Sequence, residues 1–149
     1  MKCLIISDEP EQVSFNQILK LETDIKKMVK KQVDLVTFSR NGVFLNGKLI
    51  KSGTRPEMHD VVKQILKKMR YSLFVISLES NNLEQLLSNE SNLIELIYAT
   101  SPNATVFIFG ASRMLEKISP KEKVFLYPRV GVSKLTKEFR AAVLSHVEK

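Results

Sequence analysis

Cysteine is almost absent from this chain: Cys3 is the only one in 149 residues, so no disulfide can form within it. It sits inside a short apolar run with no visible partner to activate a thiol. It reads as a small core residue of a protein kept in a reducing compartment. Histidine is nearly as scarce. His59 and His146 fall on separate predicted helices, with no second ligand at metal spacing and no serine partner, so zinc binding and Ser-His catalysis lack support. The five glycines form neither a Gly-x-Gly-x-x-Gly nor a P-loop pattern, which leaves nucleotide binding unsupported. No stretch approaches the roughly 18 apolar residues of a membrane span. The opening apolar run is too short for a signal sequence, and acids follow it at once. The expectation is a soluble, cytoplasmic protein with no membrane contact, no metal and no cofactor.

What is present is ordinary globular composition, 44% hydrophobic and 26% charged, in a length that suits one domain over residues 1–149. The net charge is +7. The basic residues cluster at Lys26, Lys27, Lys30 and Lys31, then at Lys63, Lys67, Lys68 and Arg70. Both clusters fall in the last turns of predicted helices, where cations suit the helix dipole. No aromatics are interleaved with them, so a nucleic-acid surface is the less supported of the two readings.

Apolar runs alternate with helical periodicity along the chain. "CLIIS" (3–7) predicts a buried strand, and residues 10–31 a helix carrying Phe15, Ile18, Leu19, Ile25, Met28 and Val29 at helical spacing. "VDLVTF" (33–38) is a second strand. "RPEMHDVVKQILKKMR" (55–70) is a helix with Thr54 as its cap and Pro56 in its first turn. "YSLFVIS" (71–77) is a third strand, followed by a helix over 82–99 whose later half is apolar through Leu93, Ile94, Leu96 and Ile97. "ATVFIFG" (104–110) and "KVFLYP" (123–128) complete the strands, with a short helix at 112–118 between them. Val132, Leu135, Phe139, Val143 and Val147 line a last helix. Strands apolar throughout, rather than alternating, predict a parallel sheet buried on both faces by helices. One segment breaks the rhythm: "SRNGVFLNGKLIKSG" (39–53) holds two Asn-Gly pairs, which predict a small hairpin set off from the core, on the surface.

"MKCLIISDEP", "SLFVISL", "ATVFIFGAS" and "VFLYPRVGVSKLTKEFRAAV", taken in order, resemble the receiver domain of bacterial response regulators. The resemblance covers nearly the whole chain. It implies a flavodoxin-like, doubly wound α/β fold: five parallel strands in the order 2-1-3-4-5, helices on both faces, and the hairpin as an excursion after strand 2. In that family two acids after the first strand hold Mg²⁺, and an aspartate ending the third accepts phosphate. A Thr or Ser ending the fourth and a lysine ending the fifth bind the phosphoryl group.

Carried over by position, nearly every one of these is lost. The first acid falls on Ser7, although Asp8 is kept and Glu9 follows it. The phosphoacceptor position falls on Ser77, the Thr/Ser position on Gly110 and the lysine on Tyr127, with Pro128 retained. Asp8 and Glu9 then look like remains of a metal pocket, or simply like acids that start the following helix. The resemblance implies a degenerate receiver, without enzymatic activity and independent of phosphorylation. It would act in two-component signalling or transcriptional control through a protein partner or a homodimer. The family's face of fourth helix, fifth strand and fifth helix would include Met114, Leu115, Lys123, Lys134, Lys137 and Arg140. Two alternatives stand beside it: a small-ligand binder or enzyme using Asp8, Glu9 and Ser77, and a basic nucleic-acid-binding module. "SRNGVFLNGKLI" is also similar to a phosphothreonine-binding segment of forkhead-associated domains, but a helix-rich chain has no room for the strands that precede it there.

Overall fold

Cys3, Leu4, Ile5, Ile6 and Ser7 are all buried, and they form the middle strand of the sheet, β1 (Cys3–Ser7). The structure is a computed structural model that describes residues 2–7, 13–29, 32–39, 42–52, 55–77, 93–110, 112–116, 118, 122–128 and 137–148. After β1 come α1 (Val13–Val29), β2 (Val33–Ser39), β3 (Gly42–Leu45), β4 (Lys48–Lys51), α2 (Arg55–Lys68) and β5 (Leu73–Ser77). Then follow α3 (Leu93–Thr100), β6 (Thr105–Gly110), α4 (Ser112–Leu115), β7 (Val124–Pro128) and α5 (Lys137–Glu148). The first part of the helix predicted over 82–99, residues 82–92, lies outside the described residues.

The sheet corrects the expected fold class. Among the described residues it has seven strands in the order β4-β3-β2-β1-β5-β6-β7, not five, and it is mixed, not parallel. β2, β1, β5, β6 and β7 pair in parallel. β3 runs antiparallel to β2, and β4 antiparallel to β3. The hairpin expected as a surface excursion is therefore part of the sheet, and its Val43 is fully buried in the core. The physical reason is the outer edge of β2. Its Val36 and Phe38 are core residues, and without β3 their backbone groups would end beside an open edge.

The second Asn-Gly pair makes the turn. Leu45 pairs with Lys48, and Asn46 (φ 53°) and Gly47 (φ 85°) between them both take the left-handed backbone of a two-residue hairpin loop. Asn46 also ties the turn to β2. Its backbone N–H donates to the Leu35 carbonyl at 2.8 Å, and its side-chain oxygen accepts from the Leu35 N–H at 2.8 Å. Its Nδ2 donates to Asp34 at 3.0 Å, and the other oxygen of Asp34 accepts from the Tyr71 hydroxyl at 2.8 Å. One carboxylate thus joins β2, the hairpin turn and the entry to β5.

Side chains alternate across the sheet and divide the core in two. Leu4, Ile6, Val36, Phe38, Phe74, Ile76 and Ile108 pack with Val62 and Leu66 of α2 and Leu93, Ile94 and Ile97 of α3. Cys3, Ile5, Leu35, Val75, Phe107 and Phe109 pack with Ile18, Leu21 and Ile25 of α1 and Phe139, Val143 and Val147 of α5. The inner stripe of α1 is therefore 18, 21 and 25. Leu19 and Met28, which share the predicted helical spacing, are 37% and 41% exposed: Leu19 is turned about 100° from Ile18, whereas Met28 keeps the face of Leu21 but lies beside the end of α1 at Val29.

Burial and the bonded Asp34 carboxylate hold the Tyr71 phenol well above its ordinary range. A raised folded-state pKa means the stability it supports is whole below the unfolded value of about 10 and is lost as pH rises through the folded one. Tyr71→Phe is expected to cost about 1 kcal/mol at neutral pH. It should also flatten the decline of the melting temperature above pH ~10. Melting curves of both proteins across the alkaline range measure this; parallel declines would show that the phenol carries none of it.

Candidate functional site

In a sheet with parallel strands, ligands are held where the strands end. Here one line of register crosses five of those ends. Thr37 pairs with Ser7, Ser7 with Ser77, Ser77 with Phe109, and Phe109 with Tyr127. These side chains point to the sheet face covered by α1 and α5, as Ile5, Val75 and Phe107 do two residues earlier. Among the described residues the buried polar ones are Ser7, Thr37, Ser77 and Thr105, so three of the four lie side by side on this line.

Of the residues carried over from the receiver pattern, the structure brings Ser7 and Ser77 together on adjacent strands. Tyr127 is two strands from Ser77, about 10 Å away at ordinary strand spacing, with Phe109 between them. Its ring is packed edge-on against Phe139 of α5, at 5.5 Å and 75°, and lies 6.3 Å from Phe107. Gly110 ends β6 opposite Pro128. Asp8 and Glu9 lie outside the described residues.

Chemically the line is neutral: Thr37, Ser7, Ser77, Phe109 and Tyr127 include no carboxylate, amine or imidazole. Ser77 is 1% exposed, and its Oγ is buried without a hydrogen-bond partner. A hydroxyl so buried, on a line of side chains with no base among them, is poorly placed for nucleophilic chemistry. Cys3 lies at the other end of β1, and burial, with Asp34 and Glu22 adding to it, pushes its thiol far above the range in which it would be reactive. No group of three or more His, Cys, Asp or Glu is placed to hold a metal among the described residues.

The expected interaction face is only partly on the surface. Leu115 of α4 is buried in the core with Leu4 and Ile6. Arg140 of α5 turns to α1, where its Nη2 pairs with Asp24. Lys123 is exposed and reaches the Asn103 carbonyl at 3.4 Å. Lys137 is exposed, Met114 falls within α4, and Lys134 lies outside the described residues. The residue that sequence reasoning missed is Phe125, which is 44% exposed on β7 between these helices. An apolar run of edge strand is indistinguishable in sequence from an interior one, so only the position of β7 in the sheet reveals it.

Among the described residues, no helix is long and apolar enough to cross a membrane. No protein-family model matches this chain, and no curated protein matches it significantly.

Proposed function

We propose that this chain is a receiver-like signalling domain that acts through protein–protein contact and without phosphoryl transfer. The observation that carries the reading is the line of strand ends. Where a receiver places its acceptor aspartate, this chain has Ser77, buried and unpartnered, with neutral Ser7 beside it. Five parallel strands in the order β2-β1-β5-β6-β7 support the likeness, and the hairpin strands β3 and β4 are this chain's departure from it. An unpaired, unreactive Cys3 suits a cytoplasmic setting. Control of transcription is the process such a domain would serve.

The nucleic-acid alternative gains nothing from the basic clusters. Lys26 pairs with Glu22 at 3.4 Å, and Lys26, Lys27, Lys67 and Lys68 stand in last helical turns, where they complement the dipoles.

Acetyl phosphate or beryllofluoride with Mg²⁺ is expected to leave the protein unchanged. Intact mass should show no saturable adduct, and the amide resonances of Ser7, Ser77 and Gly110 should not move. A phosphoryl adduct at Ser77 would overturn the proposal.

A further inference from the structure

The described strands leave the sheet two outer edges, and they differ in kind. β4 exposes all four of its residues, Lys48, Leu49, Ile50 and Lys51, and its register with β3 shifts between Val43 and Phe44. Short, lysine-bracketed and irregular, it is built as an edge that refuses another strand. β7 is less defended within its span, although exposed Lys123 precedes it and Pro128 closes it. Val124, Phe125, Leu126, Tyr127 and Pro128 carry no charge, and their register with β6 is unbroken.

The hydrogen bonds fix which groups of β7 are open. The Val106 N–H donates to the Lys123 carbonyl at 2.9 Å. In a parallel ladder this phase commits the main chain of residues 123, 125 and 127 to β6 and turns that of Val124 and Leu126 outward. On the α5 side of the same edge, Phe125 stacks on Phe107 at 5.3 Å and 24° yet keeps 44% of its surface in solvent.

We infer that β7 is a docking edge for a second copy of this chain, joined antiparallel about a two-fold axis at Leu126. The proposal rests on the protein–contact reading above and names its partner. In this register Leu126 exchanges both main-chain bonds with its own copy, and the Val124 N–H reaches the Pro128 carbonyl across the axis. Pro128, which has no N–H, ends the pairing. Phe125 then faces Tyr127 across the axis on the α5 side, a cross-strand aromatic pair. Charge selects this pairing over its rival. β4 paired with itself antiparallel would set Lys48 against Lys51, like charges directly opposed, whereas β7 brings no charge to the axis. Joining β4 to β7 would make an open-ended chain of subunits, and the lysines and register shift of β4 oppose that. A single strand pair covers less than the roughly 1,600 Å² of a standard interface. The dimer is therefore weak and concentration-dependent.

Sedimentation of the full chain from low micromolar to near-millimolar concentration should show the average mass rising toward a dimer. Phe125→Lys puts a charge at the axis from a half-exposed position. It should stay monomeric throughout and remain folded, with a melting temperature lowered only modestly by loss of the Phe107 stack. In the wild type, exchange of the Val124 and Leu126 amides should slow by about tenfold or more, ~1.4 kcal/mol, as concentration rises. Those of β4 should not respond. A wild type that stays monomeric overturns the proposal. A dimer that ignores Phe125→Lys and leaves the Val124 and Leu126 amides unprotected also overturns it, while protein contact without phosphoryl transfer would still stand.

Discussion

Gly42→Ala is expected to destabilise the protein by about 2–5 kcal/mol, far more than the same change at Gly47. A Cβ on Gly42 would lie 2.2 Å from the Lys51 carbonyl oxygen, 2.7 Å from Leu49 Cδ1 and 3.1 Å from the Lys51 carbonyl carbon. Two of those atoms are backbone, so relief requires β4 to part from β3. Gly42 also sits at φ +153°, which an alanine adopts with strain. Gly47 has φ +85° but nothing within 4 Å of the added carbon, so only the conformational term remains, about 1 kcal/mol. Urea denaturation of the two variants measures the difference. Equal losses would mean that β4 does not lie against Gly42. By the same argument a short Gly-Ser link in place of 39–53 should not be tolerated. It would remove Val43 from the core and bare the edge of β2 beside Val36 and Phe38.

The reach of the sequence is clearest around this hairpin. Its turn was legible, because Asn-Gly suits a two-residue loop with both residues at positive φ. Its membership of the sheet was not. "GVFL" and "KLIK" are four-residue strands without a long alternating pattern, and what recruits them is the open side of β2, a tertiary demand. The interior strands were legible for the opposite reason: runs such as "LFVIS" and "TVFIFG" are apolar at every or nearly every position because both faces are covered. In the site, Ser7 and Ser77 could be placed at strand ends, and the pairing of β1 with β5 sets them side by side. The directions of Leu115 and Arg140 could not be read. A four-residue helix carries too little periodicity to fix its phase, and Arg140 is drawn toward Asp24, a residue 116 positions away.

Ser77→Asp, the change that restores an acid at the receiver's acceptor position, is expected to be among the most damaging single substitutions in the chain. Ser77 is 1% exposed in an interior whose neighbours on the same face are Val75, Phe107 and Phe109. A carboxyl there is driven toward its neutral form, with its pKa raised by up to ~3–5 units. Each unit of that shift costs ~1.4 kcal/mol once the pH exceeds the folded value. The sign follows from linkage: a raised folded pKa leaves the penalty small below the unfolded value of about 3.9 and increases it with pH until the folded pKa is passed. Ser77→Asp should therefore approach the stability of the wild type near pH 3 and fall behind it by ~4 kcal/mol or more at pH 8. Ser77→Ala should move the other way, unchanged or more stable by up to ~1 kcal/mol, because it removes a buried hydroxyl that has no partner. Denaturation of the three proteins between these pH values tests the dryness of the strand ends. An aspartate variant as stable as wild type at pH 8 would mean that solvent or a cation reaches Ser77. The strand ends could then still hold charge, and the phosphoryl-independent reading would lose its main support.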